Sequence, residues 1–198
     1  MNRRFKMEKD PWDTGYDIFA KGDIGFEPGV TILVGCNGSG KSTMLQLIED
    51  ALKSSNVPVM SYDNMDDGAR NKNNLELMSD LMTSSEGEQI CLNLGYFASR
   101  IKSFITNNSE SDELWFIFDG IDSGLSIDNI NEVKELFKLI IKDHKDKKIY
   151  ILCSANTYSM CIEEKCFDVV ECEYLYFWKY EEYKKFILNS RNKKNLRK

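Results

Sequence analysis

The feature that most constrains this chain is the octapeptide GCNGSGKS at positions 35–42, which we call the P-loop. The apolar, β-branched run GVTILVG leads into it and predicts a buried strand, while STMLQLIEDALKSS after it has the apolar spacing of a helix. Glycines let the backbone curl so that its N–H groups surround phosphate oxygens, and the helix adds its positive N-terminal end. Strand, glycine loop and helix in this order predict a phosphate-binding site rather than a glycine-rich turn with a surface lysine.

The P-loop spacing also assigns individual roles. Lys41 is expected to hold the β- and γ-phosphates of a nucleotide, and Ser42 is expected to ligate Mg²⁺. The other residues predicted to bind the nucleotide are neighbours in the same segment: Asn37, Gly38, Ser39, Gly40 and Thr43.

Further strands and helices alternate along the chain. Apolar runs predict strands at 57–63, 113–119 and 147–154, and periodic patterns predict helices at 74–82, 85–105, 126–144 and 180–191. This alternation predicts an α/β fold with a mostly parallel sheet and helices on both faces. The 198 residues suit a single domain. We assign it to 1–178, followed by a closing helix and basic C-terminal tail over 179–198.

A second motif, FIFDGIDSGLS at 116–126, ends an apolar run in a carboxylate. A buried strand of this kind is suited to deliver Asp119 to a metal ion. A nucleotide-hydrolysing site of this outline is expected to have a glutamate next, which orients and deprotonates water, but this chain has Gly120. Asp122 lies two positions further on, so it either replaces the glutamate as the water-positioning acid or forms the turn.

Three separated motifs together resemble those of ABC-type ATPases. GVTILVGCNGSGKST, SSEGEQ at 84–89 and FIFDGIDSGLS have the order of the Walker A, signature and Walker B/D-loop motifs. The likeness is closer to Rad50/SMC/RecF-type heads and small phage-type ATP-binding proteins than to transporters. It implies a P-loop NTPase fold with a reduced helical subdomain, ATP and Mg²⁺ as cofactors, and hydrolysis of ATP in which Lys41 and Asp119 take part, with Asp122 as the candidate for the missing acid.

The same resemblance implies a homodimer. In this family two subunits sandwich two ATP molecules, and the signature serine and glycine of one subunit reach the γ-phosphate bound by the other. Here these positions are Ser85 and Gly87. Ser85 and Glu88 are also spaced as a capping box, so Ser85 either caps its own helix, contacts the nucleotide across the dimer, or does both.

Several positions depart from the family pattern besides Gly120. Ser126 stands at the D-loop aspartate, and the Q-loop glutamine is replaced by Asp63 or Asn64. The switch histidine is absent, which leaves Ser154 or Asn156 to reach the γ-phosphate. Loss of a general base typically costs about 10²- to 10⁴-fold in rate. We therefore expect slow hydrolysis and a long-lived ATP-bound dimer.

Two aromatic residues near the N-terminus are candidates for stacking on adenine. Tyr16 and Phe19 precede the P-loop strand at a suitable distance along the chain. Either residue is equally well explained as part of the hydrophobic core.

Charge is distributed unevenly in a chain whose net charge is −6. Residues 179–198 hold eight basic side chains against two glutamates, so that the remainder is strongly acidic. A basic tail of this kind contacts nucleic acid or an acidic partner, or is only a solvated end. No apolar run approaches the roughly 20 residues that span a bilayer, so no membrane contact and a cytoplasmic location are expected. The six cysteines are expected to be reduced.

Three functions are compatible with these features. The first is an ATP-gated dimerisation switch with slow or partner-dependent hydrolysis, acting on an effector such as a nuclease or on DNA. The second is a structural module that binds ATP without hydrolysing it. The third is a small P-loop kinase, which normally needs a lid with clustered arginines, whereas Arg70 and Arg100 are the only ones between the P-loop and the last strand.

Overall fold

The structure is a computed structural model that describes residues 2–12, 15–63 and 86–196, with side chains over 2–12, 15–62 and 97–195. The predicted helix at 74–82 and the residues Asn64 and Ser85 lie outside the described residues.

Eight strands and five helices make up the described part of the chain. The strands are β1 (Arg3–Lys6), β2 (Asp23–Phe26), β3 (Gly29–Val34), β4 (Val59–Asp63), β5 (Glu113–Asp119), β6 (Lys148–Ser154), β7 (Cys166–Asp168) and β8 (Glu173–Leu175). The helices are α1 (Lys41–Ser54), α2 (Glu86–Asn107), α3 (Ile127–Asp143), α4 (Tyr158–Cys161) and α5 (Tyr180–Leu196).

The main sheet has six strands in the order β4-β5-β6-β3-β7-β8. Its first five strands are parallel, and only β7 and β8 pair antiparallel. Strand β6 lies between β3 and β5, and the register pairs Phe118 with Cys153, which places Asp119 beside Ser154 at the carboxyl edge. The predicted mostly parallel sheet is confirmed.

Each face of the sheet is buried by different elements, because side chains alternate along a strand. Helices α2, α3 and α5 cover one face, where Phe116 and Phe118 are buried. Helix α1 and the two-stranded sheet of β1 and β2 cover the other face, where Trp115 stacks on Tyr150 with ring centroids 4.1 Å apart. The runs of apolar residues in β5 and β6 follow from burial on both faces.

Among the described residues, no helix has the length and apolar character needed to cross a membrane. The five cysteines with described side chains, which are Cys36, Cys153, Cys161, Cys166 and Cys172, are all free thiols and all buried.

Candidate functional site

A cavity of about 460 Å³ lies at the carboxyl edge of the sheet, where β3, β5 and β6 end. In parallel α/β sheets, ligands characteristically bind at this edge. The volume is within the range of small-molecule sites. The cavity is lined by the P-loop and Thr43 together with residues from five other segments: Trp12, Tyr16, Asp17, Ile18, Asp119, Ser154, Asn156, Val170 and Lys194.

The P-loop conformation depends on its glycines. Gly38 and Gly40 have φ of +69° and +99°, which are left-handed conformations that side chains disfavour. A Cβ on Gly40 would also lie 2.8 Å from Ile18 Cγ2. A side chain at Gly35 would collide with Ser39 Oγ, which is buried without a partner among the described residues. Packing therefore excludes larger residues at Gly35 and Gly40, whereas at Gly38 the left-handed φ is the constraint.

Lys41 is 8% exposed and opens α1. Its Nζ donates to the backbone carbonyls of Gly35 at 3.0 Å and Cys36 at 3.5 Å. Burial lowers the pKa of the Lys41 ammonium, and the charges of Cys36 and Asp119 partly oppose this shift. Among the described residues Lys41 has no ion-pair partner, and a buried cation in this position is a strong attractor for an anion such as phosphate.

Asp119 is linked to the end of β6 through one hydroxyl. Ser154 Oγ donates to Asp119 Oδ1. Ser154 Oγ also accepts a hydrogen bond from the Gly120 N–H at 2.8 Å. Gly120 has a φ of +64°, so the chain leaves the strand in a left-handed turn directly after Asp119. Glycine is the residue that adopts this φ most readily, although Glu163 has the same φ elsewhere in the chain, so backbone geometry favours glycine at position 120 without requiring it.

Asp122 is 1% exposed and does not line the cavity. Its Oδ2 accepts the backbone N–H groups of Asn156 and Thr157 at 2.9 and 2.7 Å, and the Thr157 hydroxyl at 2.7 Å. Its Oδ1 is buried without a hydrogen-bond partner among the described residues. The carboxylate thus fastens the turn after β5 to the segment that follows β6.

The residues predicted to hold Mg²⁺ offer a partial set of hard oxygen donors. The Ser42 hydroxyl and Asp119 both line the cavity, and no described donor occupies Asp119 Oδ2. No group of three or more histidine, cysteine, aspartate or glutamate side chains among the described residues has the geometry of a metal site. This donor set fits Mg²⁺, which is usually bound by one or two protein groups together with nucleotide phosphates and water.

The two candidate adenine-stacking residues separate in the structure. Phe19 is fully buried and packs beside Gly40, whereas Tyr16 lines the cavity. Both lie in the connection between β1 and β2 and not in a strand. Trp12, in the same connection, also lines the cavity and is 60% exposed. The sequence analysis missed Trp12, although its closeness to Tyr16 in the sequence was a usable signal.

The structure brings most of the predicted nucleotide-binding residues into this one cavity. Asn37 to Thr43 and Asp119 line it, but Asp122 does not. Gly87 lies in the first turn of α2 and Ser85 lies outside the described residues, so their predicted contacts across a dimer stay predictions. Lys194, from the C-terminal helix, also lines the cavity and was not among the predicted site residues.

Comparisons with known proteins bear on the family and the fold of the chain. A family model described as an AAA domain matches residues 14–197. No curated protein sequence matches the chain. The ADP conformation of MJ1267, an ATP-binding cassette of an ABC transporter, is similar in structure with a TM-score of 0.53 at 11% identity, covering 99% of this chain and 98% of that one. The predicted P-loop NTPase fold of the ABC-ATPase type is confirmed by this likeness.

A second solved structure is more distant. It is the dimeric post-hydrolysis state of the ATP-binding cassette MJ0796 bound to ADP and Pi, with a TM-score of 0.44 and 13% identity. It covers 90% of this chain and 97% of that chain.

Proposed function

Because this chain belongs to the family described as the AAA domain, we propose that it is an ATPase head of the ABC type that acts as an ATP-gated dimerisation switch with slow hydrolysis. One observation carries the proposal. A single cavity joins an intact P-loop to Asp119, but the backbone turns away at Gly120, where a water-activating glutamate is expected.

Binding of the triphosphate rests on the P-loop. The buried Lys41 ammonium and the amides at the start of α1 present positive charge to the same cavity. Asn37 and Ser42 are exposed on the cavity side, where phosphate can reach them. Bound Mg²⁺, held by Ser42 and Asp119, would supply charge neutralisation for the phosphates.

Slow hydrolysis follows from the acids that face the cavity. Among the described residues that line it, Asp17 and Asp119 are the only carboxylates. Asp17 is ion-paired with Lys9 at 3.5 Å, and Asp119 accepts a hydrogen bond from Ser154. Asp122, the candidate substitute base, does not line the cavity, and its Oδ2 already accepts from three donors of Asn156 and Thr157. We infer that Asp122 positions the turn rather than activating water.

The dimerisation step rests on the resemblance of Ser85 and Gly87 to the family's signature motif. In this proposal, ATP bound at the P-loop of one copy is covered by these residues of a second copy. Because the water chemistry is slow, the closed dimer persists and can be read by a partner. An effector such as a nuclease, or DNA contacting the basic C-terminal segment, is the kind of partner that this switch would serve.

The deciding experiment combines sedimentation with phosphate release. Wild-type protein and Lys41→Ala are compared with ATP, with ADP and without nucleotide, each with Mg²⁺. We expect ATP to produce a dimer in the wild type only, with slow phosphate release and return to monomer as ADP forms. A wild type that stays monomeric in saturating ATP would rule out the switch.

The same samples test the two alternatives. Dimerisation with no phosphate release, even after addition of partners or DNA, would favour a structural ATP-binding module. Transfer of phosphate to an added small molecule would favour a kinase, for which no described cavity-lining residue is an arginine that could shield the transferred group.

A further inference from the structure

The C-terminal helix α5 packs against the nucleotide site and not only against the core. Its residues Tyr183, Phe186 and Ile187 contact the core cluster that α2 and α3 bury. The Tyr183 hydroxyl donates to the Asn156 carbonyl at 2.8 Å. The helix is therefore attached to the segment after β6, one of the walls of the cavity.

One turn further on, α5 contacts the P-loop itself. Ser190 is 3% exposed, and its Oγ accepts the backbone N–H of Cys36 at 3.2 Å. This contact satisfies a buried backbone donor of the P-loop, which would cost free energy if left unpaired. The position of α5 relative to the P-loop is thus fixed by packing at 183–187 and by a buried hydrogen bond at Ser190.

Lys194 is the next residue on the same face of the helix. Positions 183, 187, 190 and 194 are spaced by four, three and four residues, which is the spacing of one helical face. A lysine on this inward face is unexpected, because the preceding members are apolar or buried. The reason is that this face of the helix contacts the exposed P-loop residues Asn37 and Gly38 at Lys194.

The contacts of Lys194 point at the phosphate site. Its Nζ donates to the Asn37 carbonyl at 3.1 Å and lies 2.6 Å from where a Cβ on Gly38 would be. Lys41 holds the carbonyls of Gly35 and Cys36, so the two lysines bind consecutive carbonyls of the same loop. Both line the same cavity.

The charge of Lys194 is not neutralised by an ion pair within the described part of the chain. The adjacent Lys193 forms an ion pair with Glu171 at 3.2 Å, but no carboxylate among the described residues pairs with Lys194. An ammonium has three donors, and the Asn37 carbonyl uses one of them. Of two neighbouring lysines on one helix, one is therefore paired at the surface and the other is left to face the P-loop.

We propose that Lys194 is a second phosphate-binding lysine, supplied by the C-terminal helix, that acts with Lys41 on the phosphate chain of the bound nucleotide. This inference rests on the proposed ATP binding. It makes the C-terminal helix α5 part of the nucleotide site. It also means that Lys194, one of the basic residues of this segment, binds a ligand within its own subunit.

The test measures binding of Mg·ATP and of inorganic tripolyphosphate by calorimetry, because tripolyphosphate isolates phosphate contacts from contacts with the base and sugar. Lys194→Ala is compared with Lys193→Ala, which removes one positive charge from the same turn of the helix. We expect Lys194→Ala to weaken both ligands by about tenfold or more, as for a lost charge-assisted hydrogen bond, and to reduce the salt dependence of binding. Lys193→Ala should change either affinity by less than about twofold, since its ion pair is exposed.

Lys194→Arg separates charge from packing. It keeps the positive charge and should bind both ligands within about threefold of the wild type, while unfolding in urea shows that all variants are folded. The inference is overturned if Lys194→Ala behaves as Lys193→Ala does, if it binds more tightly, or if only ATP and not tripolyphosphate is affected. In each of these cases the wild type still binds ATP, whereas a wild type that binds neither ligand contradicts the proposed function itself.

Discussion

The P-loop and the turn after β5 face the same cavity, but they are held in different ways. The P-loop is shaped by glycines with left-handed φ and leaves Lys41 and Ser42 directed at the cavity. In the turn after β5, the carboxylates are held by the protein: Asp119 by Ser154, and Asp122 by the segment after β6. In the proposed function this difference separates phosphate binding from water activation, because Lys41 and Ser42 are presented to a ligand whereas Asp119 Oδ1 and Asp122 Oδ2 are already engaged by internal hydrogen bonds.

The largest expected effect is the loss of folding stability when Asp122 is replaced. We expect Asp122→Ala to lower the free energy of unfolding by about 3 kcal/mol, because two backbone N–H groups and a hydroxyl lose a charged acceptor. Urea denaturation of the nucleotide-free protein measures the change. Asp128→Ala, an exposed acid in the first turn of α3, is the matched control and should cost less than about 1 kcal/mol.

Asp122→Asn distinguishes a structural from a catalytic role. The amide oxygen can still accept from the same donors, so most of the stability should remain while the negative charge is lost. Phosphate release should then stay close to that of the wild type. A fall of about 100-fold in phosphate release with little loss of stability would instead identify Asp122 as the water-positioning acid.

The second effect concerns Gly120. We expect Gly120→Glu to destabilise the protein by about 1–2 kcal/mol, because a residue with a Cβ must adopt the φ of +64° found here. In this left-handed turn the glutamate side chain would point in a different direction from a side chain at the same position of an extended strand. Phosphate release should therefore not rise, even though the substitution restores the expected residue.

Gly120→Asn is the control for this substitution, because asparagine tolerates the left-handed region better than glutamate does. It should be the more stable of the two variants in urea. A rise of about 100-fold in phosphate release by Gly120→Glu would contradict the proposal. It would mean that slow hydrolysis is due only to the missing carboxylate and not to the conformation of the turn after β5.

Sequence reasoning predicted strands β3 to β6 and the longer helices, because their signals are local, but it did not predict the short elements β1, β2 and α4. Strand β5 was expected at 113–119 and is Glu113–Asp119, and the P-loop follows directly from its glycines and flanking elements. Periodicity and glycine spacing are properties of neighbouring residues, so a single sequence reveals them.

The contacts that complete the site were not predictable in this way. Ser190 meets Cys36 across 154 residues of sequence, and Lys194 meets Asn37 across 157. Nothing near Lys194 in the sequence distinguishes it from Lys193, since the two differ only in which side of the helix they occupy. The sequence therefore predicted a basic C-terminal segment that binds a partner or is only solvated. Lys194 could be recognised as inward-facing only from the position of α5.

The smallest expected effect is on recognition of the nucleotide base and is tested by replacing Trp12. Trp12 lines the cavity and is 60% exposed, as expected for an aromatic that stacks on a ligand and has little to pack against without it. We expect Trp12→Ala to weaken Mg·ATP binding by about 3- to 10-fold, the range typical of an aromatic stacking contact, and to leave tripolyphosphate binding unchanged. Trp178→Ala, which removes another exposed tryptophan that does not line the cavity, should alter neither. Equal weakening of ATP and tripolyphosphate by Trp12→Ala would mean that Trp12 shapes the P-loop, whereas an effect on ATP alone would place base recognition in the connection between β1 and β2.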